Sequence, residues 1–172
     1  VIVGYSVSVI SEYLLTRNSL AAKRKREKEK YLNSMKNHII VCGYGRNGKQ
    51  AVAKLQDYKR DFFIVDKNQE VIDDCQLDNK YFVKGNANED EVLLTAGIEK
   101  ASVLITALPD DADNLFIVLS ARQLNKDLKI ISRASEETSY KKLKLAGADN
   151  VILPDQIGGQ HMASLIVSPD LI

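Results

Sequence analysis

The sequence predicts an α/β fold: a doubly wound, six-stranded parallel sheet with strand order 3-2-1-4-5-6. Three observations carry that prediction. From His38 onward, short Val/Ile-rich runs alternate with helix-forming segments, and runs that are nearly all apolar suit parallel strands buried on both faces. The first run, His38-Ile-Ile-Val-Cys42, enters the turn Gly43-x-Gly45-x-x-Gly48 and then a helix-forming segment. The second, Asp61-Phe-Phe-Ile-Val-Asp66, closes on an acid eighteen positions beyond Gly48.

Ahead of the sheet, residues 1–15 are apolar and carry only Glu12. That is too short to cross a bilayer alone, which takes about twenty residues. Arg17 and Lys23-Arg-Lys-Arg26 follow it, as they would follow the cytoplasmic end of a membrane helix. An amphipathic helix packed on a partner is the alternative; a signal peptide, with its leading basic region, fits badly. Residues 16–37 contain no Gly or Pro and read as a basic helical linker of roughly 30 Å, or as a solvated, partly frayed one.

Strands are predicted at 38–42, 61–66, 80–84, 102–106, 129–133 and 150–153, and helices at 47–57, 68–76, 89–95, 110–124, 136–146 and 156–166. Pro109-Asp110-Asp111 starts the fourth helix, with acids at its positive end. Leu115, Val118, Leu119 and Arg122 follow i, i+3, i+4, i+7 spacing, which makes the three apolar ones a core-facing stripe. Gly147 stops the fifth helix. The resulting division is 1–15 apolar stub, 16–37 linker, 38–153 nucleotide-type lobe, and 154–172 a helix leading onward.

The glycine turn has a chemical reading. Gly43 permits a tight strand-to-helix turn, Gly45 admits a pyrophosphate against the backbone, and Gly48 lets the helix pack on the strand. Phosphates would sit on the amides opening that helix. Asp66 would accept from an adenosine ribose and repel a 2′-phosphate, which favours NAD or another adenine nucleotide over NADP. A nucleotide-free fold that kept the turn is the competing reading.

Composition narrows the other classes. Residues 1–37 hold eight Lys/Arg against three Asp/Glu, and residues 38–172 hold sixteen against twenty. The basic excess belongs to the arm, so the lobe offers no broad field for nucleic acid. Cys42 and Cys75 make no metal or disulfide pattern, and Cys42 reads as a small buried residue. His38 and His161 lack catalytic companions and read as structural or surface groups.

Gly43-Tyr-Gly-Arg-Asn-Gly48, Asp66, Gly85-Asn-Ala87, Asp110-Asp-Ala-Asp-Asn-Leu115, Ala121-Arg122, Ile131-Ser-Arg133 and Ala146-Gly-Ala-Asp149 together resemble the RCK/KTN domain, the Rossmann-like regulator of potassium conductance. The resemblance covers about residues 38–172. It implies a nucleotide site of Gly43, Tyr44, Gly45, Arg46, Asn47, Gly48, Asp66, Lys67, Asn86, Ala87, Ala107 and Arg133. Arg46 would reach the phosphates. Asn86 stands where many members have Asp, which leaves base selectivity open. Arg133 either reaches a phosphate, its own or a neighbour's, or pairs structurally; Arg122 reads as a salt-bridge partner.

NAD or NADH is the implied ligand, with ATP or ADP the alternative. The carboxylates of some calcium-gated members are replaced here by Ala107, Arg133 and Ser135, so that calcium site is unmatched. A different one using Asp110, Asp111 or Asp113 competes with a solvated helix start. The implied partners are further copies, as dimers in a tetrameric or octameric gating ring, and a pore domain upstream in the inner membrane, with this portion cytoplasmic. The Gly158-Gly-Gln-His-Met-Ala163 segment resembles the helix leading to a smaller subdomain. The resemblance implies a sensor and not an enzyme. An NAD-dependent oxidoreductase and a pore-free regulatory subunit are the competing readings, and only about twenty residues follow the sixth strand for a substrate domain.

Overall fold

The computed structural model describes residues 22, 23, 26, 27, 29–32, 34–73, 75, 77 and 81–167. The chain divides into two compact units, Val1–Ser34 and Met35–Ile172. The described residues of the first unit are helical. The apolar stub 1–15 lies outside the described residues. Among those described, no helix is long and apolar enough to cross a membrane.

The second unit runs β1 (Ile39–Cys42), α1 (Arg46–Asp57), β2 (Phe62–Asp66), α2 (Gln69–Asp73), β3 (Phe82–Lys84), α3 (Asp90–Thr95), a 3-10 turn (Ile98–Lys100), β4 (Val103–Thr106), α4 (Asp111–Leu124), β5 (Lys129–Arg133), α5 (Glu137–Ala146), β6 (Asn150–Ile152) and α6 (Pro154–Val167). Every pairing is parallel, in the order β3-β2-β1-β4-β5-β6. The sheet is thus the one the sequence predicts. β1 is its centre: Cys42, fully buried, stands opposite Val65 of β2 and Thr106 of β4. Val41, Ile64 and Phe82 share one core cluster with Val52 of α1, while alternation sends Ile40 and Phe63 to the opposite face.

One expectation needs correcting. On α4 the buried residues are Asn114, Ile117, Val118 and Ala121, and Leu119 is half exposed. The stripe has the expected spacing but is rotated by one position. Asn114 is the reason. Its Nδ2 donates to the Leu108 carbonyl at 2.9 Å and its Oδ1 accepts from the Leu108 amide at 3.1 Å. A fully satisfied amide of this kind can be buried without penalty, so a polar residue takes the inward position that an apolar count gives to Leu115 and Leu119.

One polar cluster ties the end of α4 to the turn between α5 and β6. Arg122 donates to the carbonyls of Lys126, Leu128 and Gly147 and pairs with Asp149 at 3.0 Å, as a salt-bridge partner should. Gly147 takes φ +112°, and a Cβ there would meet Arg122 Cγ at 3.1 Å, so the helix stop and the ion pair fit one another. Burial alone would raise the Asp149 carboxyl, but the Ile130 amide, Arg122 and Lys144 together hold it below its usual value. A depressed carboxyl stabilises the fold above the unfolded value of about 3.9, and that contribution is lost as pH falls through the folded value. Asp149→Ala is expected to cost about 1 kcal/mol at neutral pH, kept small by solvent exposure. In urea unfolding the deficit should shrink toward about pH 3; a deficit independent of pH would contradict the assignment.

His38 is a core group. Its Nε2 donates to the Ala96 carbonyl at 2.9 Å, and its ring stands edge-on to Phe63. Nδ1 is buried without a partner, and burial lowers the imidazole below its ordinary value. His161 lies exposed on α6.

Candidate functional site

β1 ends at Cys42, and Gly43 turns the chain with φ +93°, a conformation that favours glycine. α1 then starts at Arg46 with Gly45 as its N-cap, with no side-chain cap and no acid in the first turn. The first backbone bond from within the helix back to the cap runs from Lys49 to the Gly45 carbonyl at 2.9 Å. The amides before it are those a helix start leaves for an anion.

The three glycines differ in what surrounds them. A Cβ on Gly45 would meet nothing within 4 Å. On Gly48 it would overlap the Gly43 carbonyl oxygen, and on Gly43 it would meet Leu108 Cδ2 at 2.9 Å. Gly48 and Gly43 are therefore required by the fold. Gly45 meets no such constraint within the fold and is open to approach from outside.

That approach is a cavity of about 230 Å³. Of the expected site residues, Gly43, Gly45, Asp66, Lys67, Asn86, Ala87 and Ala107 line it. So do Val65, Asn68, Val71, Gly85, Leu108, Pro109 and Asp113, none of which the sequence reading placed at the nucleotide. The hollow sits beyond the carboxyl ends of β1, β2 and β4, where ligands bind in open α/β sheets.

Asp66 holds the turn as well as lining the cavity. Its Oδ2 accepts from the Tyr44 amide at 2.8 Å and its Oδ1 from the Asn68 amide at 2.9 Å. Each carboxylate oxygen has more than one acceptor site, so hydroxyls can still bind there. Asn86 Oδ1 accepts from the Asn88 amide at 3.2 Å, which fixes the loop after β3.

Five expected site residues are not among those lining the cavity. Tyr44 contributes its amide, but its ring packs edge-on to Phe82 in the core and its phenol oxygen accepts from the Cys75 thiol at 3.3 Å. Burial first, and then Cys75, push that phenol up to about 12. Arg46 is exposed and Asn47 half-buried in the first turn of α1, while Gly48 is packed beneath. Arg133 is the fifth, and its guanidinium is engaged from within the fold. Its Nη1 donates to the carbonyls of Leu108 and Pro109, each at 3.0 Å. Held there, it braces the segment that follows β4, and among the described residues it pairs with no acid.

The acids of the fourth helix are also engaged. Asp110 caps α4 through the Ala112 and Asp113 amides. Asp111 fastens the turn that leads into α5 through the Ser135 and Glu136 amides. Burial would raise its carboxyl, but bonds from the Ser139 side chain and those amides bring it below its usual value. Among the described residues no three His, Cys, Asp or Glu side chains gather as a metal site.

Residues 39–154 match the family model described as the TrkA-N domain. The chain is 37% identical over 174 residues to the probable potassium channel protein 2 of Methanocaldococcus jannaschii, covering 99% of this chain and 51% of that protein. It therefore spans about half the length of that curated relative. The structure of the GsuK channel bound to NAD is similar with a TM-score of 0.69 and 28% identity, over 80% of this chain and 24% of that one. That of GsuK bound to ADP gives 0.66 and 29%, over 83% and 38%. Strand order, glycine turn and cavity thus agree with a match over most of the lobe, and the chain belongs to the TrkA-N (RCK) domain family.

Proposed function

We infer that this chain is the ligand-sensing, gating portion of a potassium channel and that it binds an adenine nucleotide in the cavity beside Gly45. One observation carries the reading: an uncapped helix start and the Asp66 carboxylate face a common hollow. The amides suit phosphates and the carboxylate suits a ribose. The relatives support it, one being named as a potassium channel protein and GsuK having been solved with NAD and with ADP. NAD or NADH is the favoured ligand, ATP or ADP the alternative.

In this reading the lobes pair and assemble into a ring beneath a membrane pore, on its cytoplasmic side. A ligand shifts such a gate only by binding one state better than the other. A tenfold preference per site is worth about 1.4 kcal/mol. Taking a gate from mostly closed to mostly open needs about 5.5 kcal/mol, so several coupled sites are required and a ring supplies them. The reading is of binding rather than catalysis, in keeping with relatives named as potassium channel proteins.

Calorimetry of the full chain with NAD, NADH, ADP and ATP tests this. At least one should bind, and Asp66→Ala should weaken that binding by roughly ten- to a hundredfold, the worth of a hydrogen bond to a charged group. Undiminished affinity in a folded Asp66→Ala protein would overturn the assignment.

A further inference from the structure

The cavity has a second carboxylate. Asp66 ends β2, Asp113 lies in the first turn of α4, and both line the same hollow. β1 stands between β2 and β4 in the sheet. Asp66 therefore reaches the hollow from the β2 side of the glycine turn that follows β1, and Asp113 from the helix that follows β4 on its other side.

Asp113 is held in place by a neighbour that gains little from the contact. Asn88 Nδ2 donates to Asp113 Oδ1 at 2.7 Å, and Asn88 Oδ1 is left buried without a partner. An ionised carboxylate only accepts, so it dictates which end of the amide faces it. Among the described residues no second hydrogen bond to this carboxylate is present. Among the described residues no ion pair to it is present either. Lys67 lines the wall beside Asp66, Arg46 is exposed, and Arg133 Nη1 is directed at the Leu108 and Pro109 carbonyls.

We propose that Asp113 is a specificity-determining residue that selects a dinucleotide over a nucleoside triphosphate. The inference rests on the nucleotide reading above. With a pyrophosphate at the start of α1, Asp66 receives the hydroxyls of one sugar and Asp113 those of a second sugar on the far side. Hydroxyl-to-carboxylate bonds are charge-assisted and strong. A triphosphate extends the same way but carries additional negative charge in place of that sugar, toward a like charge beside a low-dielectric wall. A diphosphate lacks the second sugar and carries less of that extra charge than a triphosphate.

The test is calorimetry on the full chain with NAD, ADP and ATP, comparing the parent with Asp113→Asn. The amide preserves shape and an acceptor for Asn88 Nδ2. The parent should bind NAD at least about tenfold more tightly than ATP, and Asp113→Asn should narrow that ratio by about tenfold while ADP affinity holds. Asp113→Ser, which also keeps an acceptor, gives the same reading should the amide variant fail to fold. An unchanged NAD-to-ATP ratio in folded variants that still bind would overturn the role of Asp113 and leave the nucleotide site standing. A parent chain that binds none of the three would remove both.

Discussion

Gly45→Val is expected to abolish nucleotide binding and leave the fold standing. The Gly45 backbone, at φ −78° and ψ −161°, lies in the extended region that valine adopts readily. No atom lies within 4 Å of its added Cβ. The loss of fold stability should stay near 1 kcal/mol, the scale of an unfavourable N-cap residue. The side chain instead fills the ground at the start of α1, where phosphate oxygens must come close to backbone amides. Affinity should fall by more than about a hundredfold, equivalent to losing several charge-assisted bonds. Thermal melts with and without nucleotide check both halves. A nucleotide-dependent rise that survives in Gly45→Val would remove the phosphate from this position.

Gly48→Ala should do the reverse and damage the fold itself. Alanine is favoured over glycine inside a helix by about 1 kcal/mol, so propensity alone predicts a gain. Packing opposes it. The new methyl would overlap the Gly43 carbonyl oxygen and lie 2.9 Å from the Gly43 carbonyl carbon, both rigid backbone atoms at the end of the central strand. Overpacking of this kind costs about 1–3 kcal/mol or more, and here neither neighbour can rotate away. A net loss of about 2 kcal/mol in urea unfolding is expected, together with weaker binding because α1 is displaced from the turn. Equal or greater stability would show that α1 can slide without consequence.

The contrast between these two glycines also shows how far the sequence could be read. Spacing alone assigns Gly43, Gly45 and Gly48 to one motif, and the sheet order follows from short apolar runs that need cover on both faces. Those signals are local, and they survive folding unchanged. What was not legible depends on side chains that meet across loops. Asn114 is buried because its amide satisfies the Leu108 backbone at both ends, and a hydropathy count scores it as outward. Arg133 ends a strand near the crevice, as expected, yet two carbonyls hold Nη1; no spacing rule reveals a carbonyl's direction. Tyr44 sits inside the motif but sends its ring to the core. Asp113 looked like a helix-start acid, whereas in the fold it forms part of the cavity wall.

The bond from the Tyr44 amide to Asp66 has a kinetic consequence. On the proposed nucleotide reading, the carboxylate assigned to the sugar also fastens the turn assigned to the phosphates, so these two parts of the surface are tied together before any encounter. Ordering entropy is then settled during folding and not charged against affinity. On that reading, association waits on no rearrangement of this turn.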